Sequence, residues 1–203
     1  MVRGYLHLPE GGTFERGIVL AHGAGSNANA PLLVLAARYF AERGWAALRV
    51  DLPFRQARPK GPPYPAMAAR DREGLKEAIA LLQTKGGNGF VLSGHSYGGR
   101  QASMLAAEDP TVADVLLLFS YPLHPPGKPE TLRTAHFLTL RTPAVFVHGS
   151  RDPFGTLEEM RTALATVPGS TVLVESAGSG HELRKVNWQE VYERVEGALK
   201  STR

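Results

Sequence analysis

The chain has 203 residues, 43% hydrophobic and 21% charged, with a net charge of +4 and no cysteine. Such a composition suits one globular domain with a sizeable core and excludes a disordered chain; the missing cysteines exclude disulfides, thiolate metal sites and a cysteine nucleophile. Lys and Arg are scattered, loosely concentrated only at Arg55, Arg58 and Lys60, without the basic stripe of a nucleic-acid binder.

In chain order, "RGYLHLP" reads as an antiparallel edge strand. The opening "MVRGYLHLPEGG" lacks the apolar core of a signal peptide, and no run is long enough to cross a bilayer, so a soluble cytoplasmic protein without membrane contact is expected. "GIVLAHG", "WAALRVDLP", "GFVLSGHS", "VADVLLLFSYP", "PAVFVHGSRD" and "STVLVESAG" are short apolar runs ending in Gly, Pro, Ser or Asp. Between them, "APLLVLAARYFAERG", Met67 to Gln83, Tyr97 to Glu108 and "TLEEMRTALATV" read as helices, and a last helix spans about Asn187 to Lys200. Continuous apolar strands separated by helices predict a mostly parallel sheet covered on both faces, in one α/β domain across residues 1–203. Two gaps interrupt the alternation. Leu52 to Ala66 holds five prolines, and Tyr121 to Leu132 contains "YPLHPPGKPETL". Both follow strand C-terminal ends, where open α/β sheets bind ligands, so they are expected to wall a pocket and leave no room for a large cap domain.

"GHSYG" places Ser96 in a G-x-S-x-G turn between a strand and a helix. That context lifts a serine out at the sheet edge. A serine hydroxyl needs a base, and the base an orienting acid. "VFVHGSRDPFG" offers Asp152 just after a later strand; Thr156 and Glu159 form a T-x-x-E capping box for the next helix, which leaves Asp152 free of that duty. "ESAGSGHELRK" offers His181 as the base. His22 and His95 sit inside turn motifs, His148 precedes Asp152 at its strand end, and His7, His124 and His136 lie elsewhere. Glu175 is the rival acid. The developing oxyanion needs backbone donors: Tyr97, which follows the serine, and Ala24 in "HGAGSN", with Gly25 next. Phe54, Tyr64, Tyr121, Leu123 and Phe154 are candidates for an apolar substrate wall; Arg55, Arg58 and Lys128 are candidates to attract an acid.

A competing reading takes "GAGSNA" as G-x-G-x-x-[GA] with Asp51 after the next strand, the outline of a dinucleotide site. It leaves Ser96, Asp152 and His181 as coincidences. No P-loop pattern and no metal-ligand spacing occurs.

On "IVLAHGAG", "GHSYGG", "RDPFG" and "GSGHEL", the chain resembles the α/β-hydrolase superfamily. "YPLHPPGKPETLRTAHF" and "GSRDPFG" narrow the likeness to small bacterial predicted hydrolases related to testis-expressed protein 30, with the hydrolase-like domain of a regulatory subunit of the NSL histone-acetyltransferase complex a further relative. The resemblance implies Ser96 as nucleophile, Asp152 as acid and His181 as base; Gly180 stands where many superfamily members carry an acid. The expected activity is cleavage of a small ester or thioester through an acyl-enzyme, as a carboxylesterase or thioesterase-like enzyme, with no cofactor, no metal and no nucleic-acid partner. A non-catalytic interaction scaffold is the alternative from another class. Substrate identity and oligomeric state have no signature in these residues.

Overall fold

The computed structural model describes residues 1–202. Seven strands form one sheet: β1 (Gly4–His7), β2 (Arg16–Ala21), β3 (Ala46–Val50), β4 (Gly89–His95), β5 (Val115–Phe119), β6 (Ala144–Gly149) and β7 (Thr171–Ser176). Their order is β1-β3-β2-β4-β5-β6-β7. β1 runs antiparallel to β3, and the other neighbours are parallel. The central strands β3, β4, β5 and β6 are buried throughout, which is why their sequences run continuously apolar instead of alternating.

Helices α1 (Pro31–Ala41) and α6 (Trp188–Ser201) cover one face; α3 (Ala68–Gln83), α4 (Tyr97–Glu108) and α5 (Leu157–Leu164) cover the other. Alternate strand residues divide between two cores: Ile18, Leu20, Val115 and Leu117 pack against α1 and α6, whereas Val19, Leu92, Leu116 and Leu118 face the opposite cluster. The helix starts follow local rules. Pro31 opens α1. Thr156 and Glu159 form the expected capping box of α5, and the Asn187 side chain caps α6.

The first proline-rich gap is more ordered than its sequence suggests. It contains α2 (Pro53–Ala57) and reaches α3 through a 3₁₀ turn at Pro65–Met67. Pro53 presets the backbone of the first turn, and the next N–H, on Phe54, donates to Asp71 Oδ1 at 2.9 Å. The second gap is irregular and is followed by a 3₁₀ turn at Ala135–Thr139 that buries Phe137.

The sheet reverses its strand order at β2 and β4. The chain leaves β2 for β3 on one side and returns to β4 on the other, so the loops after β2 and β4 flank the crevice where such sheets bind ligands. The turn after β4 is very tight. A Cβ on Gly94 would lie 2.4 Å from the Gly98 carbonyl carbon, and one on Gly98 would lie 2.6 Å from the His22 carbonyl oxygen. Both obstacles are backbone, so they cannot swing aside. Gly94→Ala is expected to lower the unfolding free energy by at least about 2 kcal/mol, at the upper part of the overpacking range, measured by urea denaturation; an unchanged midpoint would contradict this packing.

Candidate active site

Ser96 occupies the turn between β4 and α4 with φ 52° and ψ −113°, a conformation that non-glycine residues rarely adopt. Its N–H donates to Phe119 O at 2.9 Å, and its C=O accepts from Arg100 N at 2.9 Å. The strained turn is thus tied to β5 and to the first turn of α4.

His181 reaches Ser96 from the loop between β7 and α6. Its Nε2 lies 2.8 Å from Ser96 Oγ, positioned to accept the hydroxyl proton. Its Nδ1 lies 2.9 and 3.0 Å from the two Asp152 carboxylate oxygens and donates to them. The sequence-predicted Ser96, His181 and Asp152 therefore form one hydrogen-bonded chain. Glu175 is exposed on β7 and takes no part in it. Asp152 is itself anchored, since its Oδ1 also accepts from Phe154 N at 2.9 Å. Burial opposes ionisation of Asp152, but the His181 hydrogen bond, the nearby imidazole charge and the Phe154 N–H together hold its pKa below the ordinary carboxylate value.

The His181 loop is braced from several sides. A Cβ on Gly149 would lie 2.4 Å from Ser179 O, so the end of β6 and the loop touch backbone to backbone. Ser150 Oγ accepts from Gly178 N at 2.8 Å, and Ser179 Oγ accepts from Lys185 N at 3.2 Å. The His181 carbonyl receives two donors, Ser120 Oγ at 2.7 Å and His95 Nε2 at 2.9 Å. Ser120 adopts φ 45° to deliver its hydroxyl. The Phe154 ring stacks on His181 with centroids 4.3 Å apart. Ser120 was not a sequence candidate; its place just past a buried strand, in register with Ser96 one strand away, was the available signal.

The loop after β2 is clamped from behind. Buried Arg55 donates to Ser26 O at 2.7 Å, Ala24 O at 2.7 Å and Gly61 O at 3.1 Å. Arg55 thus joins the Ala24 loop to the first proline-rich gap and has no free face for an acid. Arg58 lies over the Tyr64 ring at 4.5 Å, and Lys128 is exposed. His22 is buried, with Nδ1 donating to Gly23 O at 2.8 Å and Nε2 accepting from Leu52 N at 3.1 Å; burial depresses its pKa. Asp51 Oδ1 accepts from Ala28 N at 2.8 Å. The acid of the dinucleotide reading is therefore spent on its own loop.

A cavity of about 580 Å³ opens at Ser96. Its wall differs from the expected one. Phe54, Tyr121 and Leu123 are 3%, 0% and 0% exposed and belong to the core, because both loops fold their large apolar side chains inward. Of the five candidates, Tyr64 and Phe154 line the cavity, together with Pro62, Pro63, Pro65 and Pro122. Ala24 and Tyr97 also border it. Its floor is one face of α4, formed by Tyr97, Arg100, Gln101 and Met104 at helical spacing. The Tyr97 ring is fixed by its hydroxyl, which donates to Asp71 Oδ2 at 2.7 Å, and by Phe54 at 5.5 Å. The sequence reading missed Arg100, Gln101 and Asp71; the i+4 and i+5 spacing of the first two from Ser96 was the signal.

This architecture, a mostly parallel seven-stranded sheet with helices on both faces and no large cap, is that of the α/β-hydrolase fold. The family model described as alpha/beta hydrolase domain matches residues 15–197, and the chain belongs to that family. Among solved structures, the chain is similar to Est1E from Butyrivibrio proteoclasticus, with 16% identity, 99% of this chain and 94% of that one covered, and a TM-score of 0.75. It is also similar to an alpha-beta serine hydrolase homologue from Coxiella burnetii, with 15% identity, 98% and 91% covered, and a TM-score of 0.72. A thermophilic esterase from Thermogutta terrifontis matches with 21% identity, 98% and 87% coverage, and a TM-score of 0.70. No helix among the described residues is long and apolar enough to cross a membrane.

The site carries a pH signature. His136 accepts or donates at Ser103 Oγ over 2.8 Å. Burial, then the charges of Arg100 and Arg72, push its pKa down from 6.5 to about 4. The unfolded chain takes up this proton below pH 6.5, whereas the folded chain resists until about pH 4. Stability from this group is complete above pH 6.5 and declines through that window as the pH falls. Burial acts in the same direction on His22, His95 and His148. Unfolding free energy is expected to drop from pH 7 to pH 5, and His136→Gln to remove on the order of 1 kcal/mol of that drop. Denaturant melts of both proteins at the two pH values check it.

Proposed function

We propose that this protein is a serine carboxylesterase or thioesterase-like hydrolase, acting as a single α/β-hydrolase domain on small ester-type substrates in the cytoplasm. The observation that carries the reading is the Ser96–His181–Asp152 chain, with contacts of 2.8 and 2.9 Å, at the mouth of the cavity. His181 Nε2 takes the Ser96 proton as Oγ attacks the acyl carbon. The carbonyl electron pair moves onto oxygen, and the N–H groups of Tyr97 and Ala24 receive the oxyanion. Tyr97 is the first residue of α4, so its N–H has no acceptor within the helix. Arg55 fixes the Ala24 and Ser26 carbonyls within that loop, which sets the second donor before substrate arrives. As the intermediate collapses, the alcohol or thiol leaves with the proton from His181. Water then gives a proton to His181 and attacks the acyl carbon. Ser96 departs, recovers the proton, and the acid is released.

Asp152 keeps Nδ1 of His181 protonated, so Nε2 is the acceptor, and it stabilises the imidazolium that forms in each half-reaction. His95 and Ser120 act as positioning residues through the His181 carbonyl. The proline-rich wall disfavours a swinging lid, and a preset wall favours short acyl groups over long ones.

Fluorophosphonate labelling tests the nucleophile: the wild-type protein should be modified at Ser96 and Ser96→Ala should remain unlabelled while folded. Equal labelling of both would remove Ser96 from the mechanism. Asp152→Asn is expected to cut kcat by about 10⁴-fold, the loss seen when the orienting acid of a serine protease becomes an amide, with Glu175→Gln near wild type. The reverse order would move the acid to Glu175. In a p-nitrophenyl ester series, kcat/KM should be greatest for short acyl chains; a maximum at long chains would contradict the fixed pocket.

A further inference from the structure

We propose that the cavity selects esters carrying a second, anionic group, a carboxylate, held by Arg100 and Arg133. This rests on the hydrolase reading and specifies its substrate class.

Both arginines, with Gln101 packed beside Arg100, are among the residues around the cavity that contains Ser96. Arg100 Nε is buried and has no acceptor in the protein. Gln101 is 0% exposed, and its amide nitrogen likewise lacks an acceptor. Its orientation follows from its other end, where Oε1 accepts from Arg72 Nη1 at 3.2 Å. Both of these nitrogens are closed off from the cavity, so its positive charge is what Arg100 and Arg133, which both line it, present to a ligand. Among the described residues, no carboxylate lies within 4.0 Å of Arg100 or Arg133. The nearby acids are engaged elsewhere: Glu108 with Arg72, and Asp71 with the Tyr97 hydroxyl and Phe54 N–H.

Both arginines are presented by fixed backbone. Arg100 lies in the first turn of α4, its N–H bonded to Ser96 O. Arg133 donates its N–H to Leu123 O at 2.8 Å and accepts at its carbonyl from Tyr121 Oη at 2.6 Å. Burial and the Arg100 charge lower the pKa of Arg133. That mutual repulsion is what an anion between the two guanidinium groups would relieve. Planar guanidinium donors match a carboxylate. A phosphate would call for additional backbone donors of the helix-N-terminus kind, and the N-terminus of α4 already serves Ser96. The proline-rich wall then faces the apolar body between ester and carboxylate.

The test compares the p-nitrophenyl monoester of adipic acid, with its free carboxylate, against the corresponding neutral methyl p-nitrophenyl diester. Wild-type kcat/KM should be about ten- to hundredfold higher for the charged ester, the range of a hydrogen-bonded charge, with the difference expressed mainly in KM. Arg100→Gln and Arg133→Gln should each lower the charged-to-neutral ratio, Arg100→Lys should retain part of it, and added salt should reduce it. Equal kcat/KM for the two esters in the wild type, or a ratio unchanged in all three variants, would overturn the anion site. Turnover of neither ester would instead overturn the hydrolase reading. Calorimetric titration with adipate then decides the anion site alone: binding by the wild type that is lost in Arg100→Gln supports it, and no binding or equal binding refutes it.

Discussion

The close crossing of backbone at the turn after β4 is the constraint on which the rest of the site depends. With no side chain at Gly94 or Gly98, α4 starts directly against the end of its own strand and against the end of β2, where a Cβ would meet backbone at 2.4 and 2.6 Å. That contact forces Ser96 into its φ 52° conformation and projects its hydroxyl above the sheet. A hydroxyl projected this way can be reached by an imidazole from a loop three strands distant. The strain of about 1–3 kcal/mol typical of such backbone is borne by the ladder of β4 with β2 and β5.

Around that turn the polar groups are arranged in layers. Ser96, His181 and Asp152 form the inner chain. Behind them, Ser120 and His95 hold the His181 carbonyl, and Arg55 holds the carbonyls of the Ala24 loop. Buried histidines serve here as neutral hydrogen-bonding groups, because burial depresses the pKa values of His22, His95 and His148. A positive charge on any of them would be desolvated beside the site. The uncompensated positive charge stands instead at the cavity, on Arg100 and Arg133, where a ligand can meet it.

The two proline-rich segments show how composition and placement differ in what they reveal. Both reach the cavity, the first through residues 62–65 and the second through Pro122 and, just beyond its end, Arg133. Their prolines and Tyr64 stay at the wall while Phe54, Tyr121 and Leu123 turn inward. Large apolar side chains gain most from complete burial, so residues that look like substrate contacts in a loop sequence join the core when the loop folds back on the sheet.

The sequence by itself determined the α/β alternation, the edge strand, the capping box of α5, the turn that presents Ser96 and the identity of the residues that meet it. These features are local: hydrophobic runs, glycine spacing and cap residues act over a few positions. The order Ser96, Asp152, His181 followed from the strand–loop succession. The tertiary structure added the contact between the favoured acid and His181. Asp152, the acid the sequence favoured, is buried just past the end of β6 against the imidazole, whereas its rival Glu175 is exposed on β7. It also decided that Arg55 is a loop clamp and that Arg100, Gln101 and Arg133 share one cavity. The last two residues are 32 positions apart in the chain, and their juxtaposition depends on a loop folding back over α4, a long-range packing outcome that no local residue pattern encodes.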